Sequence, residues 1–130
     1  MFKFSKYLPL LLGAGFIFFG AQKFGAENAV FEIIAERSGL SFFEPHIRRL
    51  TGVVELVAGL LLILPSSRKL GALFGLTILL GAVGFHLSPW LGINVPGIGH
   101  GLFFTALAMT ALNLALIKQY FLGSPQPQLA

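Results

Sequence analysis

The sequence predicts an all-α membrane protein, a compact antiparallel bundle of four transmembrane helices, and three observations support this prediction. Of the 130 residues, 55% are hydrophobic and only 11% are charged, whereas roughly a quarter of the residues in soluble domains are charged. Four apolar segments, each close to the roughly 20 residues that cross a bilayer as a helix, use nearly the whole chain. The two-residue alternation that a transmembrane barrel requires is absent.

Residues that interrupt helices separate the later spans. The segment Pro65-Ser66-Ser67 lies between the second and third spans, and two proline-containing segments, 88–90 and 94–97, lie between the third and fourth. The spans are expected at about residues 7–24, 47–64, 70–87 and 98–121. Together they would form one transmembrane domain over residues 1–122, followed by a disordered tail, rich in Pro and Gln, at residues 123–130.

The N-terminal segment also fits part of the pattern of a cleavable signal peptide, because two lysines precede an apolar run. The sequence after the run, AQKFGAEN at residues 21–28, lacks a clean A-x-A cleavage site. We therefore expect the segment to remain in the protein as the first span.

Residues 26–46 form the one long connection, and they contain four of the five acidic residues. The first half has the pattern of an amphipathic helix in the membrane interface. The residues expected to face the membrane are Val30, Phe31, Ile33 and Ile34, and those expected to face water are Glu27, Glu32 and Glu36. A solvated loop with an apolar attachment point is the alternative.

The basic residues indicate an orientation rather than a nucleic-acid partner. The net charge of +4 comes from Lys and Arg near the ends of the spans, where such residues orient helices. One side holds Lys3, Lys6, Arg68, Lys69 and Lys118, and the other holds Lys23, Arg37, Arg48 and Arg49. The basic N-terminus and the very short loop with Arg68 and Lys69 predict that both termini are cytoplasmic. The expected location is a bacterial inner membrane. With no cysteine, the chain cannot itself perform dithiol exchange.

Glu55 is the residue that most directly suggests a functional site. It lies in the apolar run of residues 50–64, which contains no basic residue. An acidic side chain at mid-membrane costs roughly 3 kcal/mol, so it normally faces a protein interior or a wet cavity. In an antiparallel bundle, the ends of the first and third spans and the starts of the second and fourth share one side of the membrane. The polar residues lie at these positions, so we expect a polar pocket there. Its predicted members are Gln22, Lys23, Arg48, Thr51, Glu55, His86 and His100.

Small residues predict how the helices pack. Steps of three and four residues place Gly52, Ala58 and Gly59 on the same stripe of the second span as Glu55. Small residues let neighbouring backbones approach closely. The expected packing positions are Gly52, Ala58, Gly59, Gly71 and Gly75.

Aromatic residues are expected to give the pocket an apolar wall that suits a ring-bearing or lipid-like ligand. The candidates are Phe16, Phe18, Phe19, Phe103 and Phe104, together with the face of the fourth span that carries Ala106, Thr110 and Asn113. The alternative is that most of the phenylalanines only fill space or face lipid.

Each polar residue of the pocket also has a purely structural interpretation. Glu55 and Lys23 can handle a proton or fix a ligand, or they can form an ion pair that locks the first two spans together. His86 and His100 can contact a polar headgroup, or they can be interfacial histidines. No spacing is specific for a metal, so none is predicted. Known catalytic motifs are absent, and catalysis by this chain alone is not expected.

Three short motifs lie within the first three spans. The first span ends G-x-x-K-F at residues 20–24, the second carries G-x-x-E-L-x-A-G-x-L-L at residues 52–62, and the third ends in His86. Over about residues 7–120 the chain thereby resembles the DoxX-like family of small four-helix membrane proteins. The resemblance implies Lys23, Glu55 and His86 as site positions, and His100 matches no motif of the family.

The family resemblance implies two kinds of function. Some members resemble accessory subunits of quinone-linked oxidoreductases, and a related animal group resembles chaperones for acetylcholine-receptor assembly. We accordingly expect a subunit that binds a quinone or lipid near Glu55, with a membrane partner subunit supplying electrons. The alternative is an assembly factor that offers its helix faces to another membrane protein. A small proton-coupled exporter is a third reading, although such exporters carry their acid in the first helix. The sequence is also compatible with a homo-oligomer.

Overall fold

Five α-helices make up most of the computed structural model, which describes residues 4–25 and 28–123. The helices are α1 (Phe4–Gln22), α2 (Ala29–Ser38), α3 (His46–Ile63), α4 (Arg68–Leu87) and α5 (Gly101–Ile117). Short 3-10 turns at Ser41–Phe43 and Pro65–Ser67 precede α3 and α4, and a π-helical segment, Lys118–Leu122, extends α5. No strand occurs in these two ranges, so the prediction of an all-α fold is confirmed.

The four long helices coincide with the four predicted apolar segments and pack in a ring. Helix α1 contacts α3, α3 contacts α4, α4 contacts α5, and α5 returns to α1. Neighbours run antiparallel: the end of α4 meets the start of α5, where the ring of His86 lies 5.6 Å from that of Phe103. At the other end of the same pair, the Asn113 side chain of α5 bonds to Ala72 near the start of α4.

Two of the helices are long and apolar enough to cross a membrane by length and composition. They are the segments Pro65–Leu87 and Gly101–Leu122, which contain α4 and α5. Helix α3 differs because it carries three charged residues, Arg48, Arg49 and Glu55. The four predicted spans are thus found as helices, and the crossing of a membrane by all four stays a prediction.

Helices α1 and α3 approach each other closely at two pairs of glycines. A Cβ atom added to Gly59 would lie 2.8 Å from the carbonyl oxygen of Gly13 and 2.6 Å from Cγ1 of Ile17. A Cβ atom on Gly52 would lie 3.0 Å from the carbonyl oxygen of Gly20. Both glycines of α3 were predicted as packing positions, and their partners on α1 are a finding of the structure.

The other predicted packing residues bring α4 against its neighbours. A Cβ atom on Gly71 would lie 2.8 Å from the backbone nitrogen of Leu62, so α4 contacts the backbone of α3 there. Gly75 makes room for the Oδ1 atom of Asn113, which is fully buried. Ala58 is also fully buried, in the core between the helices.

Helix α2 was predicted, but its apolar face meets protein rather than a membrane. It begins at Asn28, whose side chain accepts hydrogen bonds from two backbone amides, and ends at Gly39, which has the left-handed φ of 78°. The buried side chain of Ile34 packs with Leu91 and Val95 in the connection between α4 and α5. The expected membrane contact is therefore wrong for Ile34.

The remaining residues of this connection follow the expected pattern in part. Phe31 is buried, Val30 and Ile33 are partly buried, and Glu32 and Glu36 are exposed. Glu27 lies outside the described residues, as does the predicted disordered tail from residue 124 onward. Helix α2 and the connection after α4 together cover one end of the helix ring.

A matched pair of glycine substitutions tests the α1–α3 contact. We expect Gly59→Ala to lower the free energy of unfolding by roughly 1–2 kcal/mol, because overpacking outweighs the gain in helix propensity. Gly84→Ala is the control, because a Cβ atom there meets no heavy atom within 4 Å. Denaturation in detergent followed by circular dichroism measures both. Equal stability of the two variants would contradict the contact.

Candidate ligand-binding cavity

A cavity of about 610 Å³ lies at the covered end of the helix ring, and all five helices contribute to its lining. Its wall is mostly apolar. Representative apolar residues are Phe16 and Phe19 from α1, Phe31 and Ile34 from α2, Val54 from α3, Ile78 and Phe85 from α4, and Leu102 and Met109 from α5. The volume falls within the range of roughly 300–1,000 Å³ that small-molecule sites occupy.

An ion pair between Lys23 and Glu55 lies in the cavity wall. The Lys23 Nζ atom is 2.7 Å from Glu55 Oε1, and the two side chains are only 16% and 9% exposed. Lys23 also donates a hydrogen bond to the backbone oxygen of Phe19. The 2.7 Å separation is that of a charge-assisted contact between an ammonium and a carboxylate. An ionised carboxylate has about four acceptor sites, so Glu55 can accept further donors.

Arg48 fixes the backbone that carries Lys23. Its guanidinium is fully buried, and Nη1 donates to the backbone oxygens of Lys23 and Gly25, each at 2.7 Å. Its Nε atom lies 2.6 Å from Glu44 Oε1, and the second oxygen of Glu44 accepts the amide of Asn28. One buried arginine therefore joins the end of α1, the start of α2 and the start of α3.

His86 lines the cavity from the last turn of α4 and is buried. Its Nδ1 atom lies 2.9 Å from the backbone oxygen of Gly92. Because a carbonyl oxygen can only accept, this contact assigns the proton to Nδ1 and leaves Nε2 of the neutral ring as an acceptor. The contact also holds the connection after α4 against the cavity.

The structure brings most of the predicted site residues to the cavity. Gln22, Lys23, Thr51, Glu55 and His86 line it. The Thr51 hydroxyl donates to the backbone oxygen of Ile47, so its donor is already used within α3.

Two predicted pocket residues lie elsewhere. His100 is exposed, with its ring tilted against that of Phe104, and it does not line the cavity. Arg48 lies behind the wall, where it bonds to the backbone instead of facing the cavity. Neither residue lines this cavity, for different reasons: His100 precedes α5 at an exposed position, and Arg48 is bonded to backbone oxygens.

The expected aromatic wall is also only partly correct. Phe16 and Phe19 line the cavity, whereas Phe18 and Phe104 are exposed and Phe103 packs against His86. On α5, Ala106 lines the cavity. The remaining two predicted residues of that face, Thr110 and Asn113, lie outside the lining.

Sequence analysis missed the contribution of α2 to the cavity. Asn28, Phe31 and Ile34 line it, although this helix was assigned to the membrane interface. The signal was available in part, because an Asn before an apolar run marks a helix start. The direction of the apolar face was not determined by the sequence, since protein and membrane are both apolar environments.

No family model, curated protein or solved structure gives a significant match to this chain. The fold and cavity define a class only: an all-helical protein with two potential membrane-crossing helices and a largely apolar cavity with an ion pair in its wall. Such a site can hold an apolar molecule by its wall and a polar headgroup by Lys23, Glu55 and His86.

Neighbouring arginines provide a test of the Arg48 network. We expect Arg48→Met to lower the free energy of unfolding by about 3 kcal/mol, because Glu44 loses its buried partner and the backbone oxygens lose their donor. Arg49→Met, at an exposed position, should change stability by less than about 0.5 kcal/mol. Denaturant titration in detergent measures both variants. Similar losses in the two would contradict a special role for Arg48.

Proposed function

We propose that this protein is a DoxX-like, four-span membrane protein that binds a quinone- or lipid-like molecule in the cavity, as an accessory subunit of a membrane oxidoreductase. The observation that carries the proposal is the Lys23–Glu55 ion pair in the wall of a largely apolar cavity. An ion pair desolvated in this way is expensive to maintain, so it is rare unless it has a structural or functional use.

The chemistry of the wall favours a molecule with an apolar body and a polar head. Phe16, Phe19 and Met109 offer flat or adaptable apolar surface, as aromatic rings and isoprenoid chains require. At the polar end, the Lys23 ammonium can donate to a carbonyl oxygen, and Glu55 can accept from a hydroxyl group. A quinone presents carbonyl oxygens, and its reduced form presents hydroxyl groups. The accessory role follows because electrons would have to come from a partner's cofactor.

The outer surface supports a membrane location for all four long helices. Large apolar side chains are exposed on each of them, which water disfavours but lipid accepts. Examples are Leu11 and Phe18 on α1, Val53 and Leu60 on α3, Leu73 and Leu80 on α4, and Phe104 and Leu114 on α5. The basic residues favour cytoplasmic termini, and the proposed location is a bacterial inner membrane.

A cavity-blocking substitution tests ligand binding without disturbing the ion pair. Gly81 lines the cavity and has open space around its missing Cβ atom. We expect Gly81→Phe to weaken binding of decylubiquinone about tenfold or more, equivalent to about 1.4 kcal/mol, because the ring occupies the cavity. Gly84→Phe, one turn away and outside the lining, is the matched control. Isothermal titration in a mild detergent measures both.

The endogenous ligand is sought in the same preparations. Protein extracted gently from its membrane should carry a stoichiometric quinone or lipid, identified by mass spectrometry, and Gly81→Phe should lose it while melting normally. The proposal would be contradicted if Gly81→Phe bound decylubiquinone as tightly as the wild type and retained the endogenous molecule.

An assembly factor is the second candidate, and the exposed face of α4 favours it. A Cβ atom on Gly84 would meet no heavy atom within 4 Å, and Leu80 and Leu87 beside it are exposed, a surface that another membrane helix can approach closely. Under this function, Gly84→Phe should abolish co-purification of a membrane partner, and Glu55→Gln should lower thermal stability without changing any bound molecule.

A further inference from the structure

A second concave site lies at the end of the helix ring opposite the first cavity. It has a volume of about 350 Å³ and is formed where the start of α1, the turn before α4 and the end of α5 meet. Its polar lining residues are Lys6, Ser66, Arg68, Lys69, Gln119 and Tyr120. We call it the basic pocket, because three of these residues are cationic and none is acidic.

Within the part of the chain that the structure describes, no acidic residue lines the basic pocket. All five acidic residues of the chain lie between positions 27 and 55 of the sequence. Glu55, the last of them, precedes the end of α3 at Ile63 by eight residues, about 12 Å along the helix axis. In a low-dielectric surrounding, such a group of cations attracts an anion strongly.

Arg68 is held in place within the pocket before any anion binds. Its Nε atom donates to the backbone oxygen of Leu62 at 2.8 Å, and Nη2 donates to that of Ile63 at 3.1 Å. These two bonds leave Nη1 for another acceptor. A guanidinium fixed in this way loses little conformational entropy when it binds a phosphate oxygen.

The two lysines lie beside aromatic rings that are typical of a membrane interface. Lys6 Nζ is 5.8 Å from the centre of the Tyr7 ring, and Lys69 Nζ is 5.8 Å from that of Phe121. Next to the lining residues in sequence, Leu64 and Leu70 are exposed. Charged and apolar surfaces thus adjoin, as the headgroup and acyl chains of a phospholipid do.

We infer that the basic pocket binds the phosphate headgroup of an anionic phospholipid, with the acyl chains along the exposed leucines. This inference rests on the membrane location proposed above, but it is independent of any ligand in the first cavity. Lipid is favoured over free phosphate because the pocket lies at the ends of apolar helices, at the depth of headgroups. Basic pockets between membrane helices on the cytoplasmic side are suited to such headgroups.

Binding is measured by native mass spectrometry of the delipidated, full-length protein titrated with phosphatidylglycerol. Lys6→Gln with Lys69→Gln removes two charges from the pocket and leaves Arg68 bonded to α3. Arg49→Gln with Lys118→Gln removes two exposed charges outside the lining and is the matched control. Phosphatidylcholine supplies a zwitterionic comparison, and inorganic phosphate is added as a competitor.

We expect the pocket variant to bind phosphatidylglycerol roughly 25-fold more weakly, about fivefold for each charge, and to melt like the wild type. The control should change by less than about twofold. Equal losses in the two variants, or equal affinity for phosphatidylcholine, would overturn the inference. Displacement by inorganic phosphate at the concentration where the lipid binds would assign the pocket to a free anion and overturn it as well. Decylubiquinone binding tests the first cavity, so a change in it bears on the proposed function and not on lipid binding in the basic pocket.

Discussion

The close contact between α1 and α3 determines where the charged groups of the cavity lie. The backbones of the two helices meet at Gly13 with Gly59 and at Gly20 with Gly52. The glycines are seven residues apart in both helices, close to two helical turns, so both pairs lie on the facing sides. Because the helices run antiparallel, Lys23 and Glu55 lie on opposite sides of the second glycine pair along the axis. The long Lys23 side chain runs back toward Phe19, and its Nζ atom reaches Glu55 across the contact.

The remaining features of the site are built around this contact. Arg48 fixes the chain after α1 by its bonds to Lys23 and Gly25, so Lys23 cannot move away without breaking a buried network. The charge of Glu55 is thereby paired in a place where water is largely excluded. The polar groups concentrate inside the helix ring while leucines and phenylalanines cover its outside, the arrangement that a membrane environment favours.

The helices could be predicted from the sequence because their signals are local. Apolar length, proline positions and short loops gave four segments that agree with α1, α3, α4 and α5 within a few residues. The proximity of Lys23, Glu55 and His86 to one cavity could also be inferred, since antiparallel helices bring alternate ends together. Crossing of the membrane by all four helices and binding of a ligand stay predictions.

Features that depend on tertiary packing could not be predicted in the same way. His100 was assigned to the pocket by its position in the chain, but the turn before α5 leaves it exposed. The apolar face of α2 was assigned to lipid, yet Ile34 packs on Leu91. Periodicity shows that a face is apolar, whereas its partner depends on the path of a distant connection.

A double-mutant cycle of Lys23 and Glu55 tests the central claim most directly. The unfolding free energies of Lys23→Met, Glu55→Gln and the double variant are compared with that of the wild type in one detergent. Lys23→Met leaves the buried carboxylate without its cation and Glu55→Gln leaves the ammonium without its anion, whereas the double variant carries neither charge, so we predict a coupling energy of about 2 kcal/mol or more. Single effects that add to the double effect within about 0.5 kcal/mol would show that the two side chains do not interact.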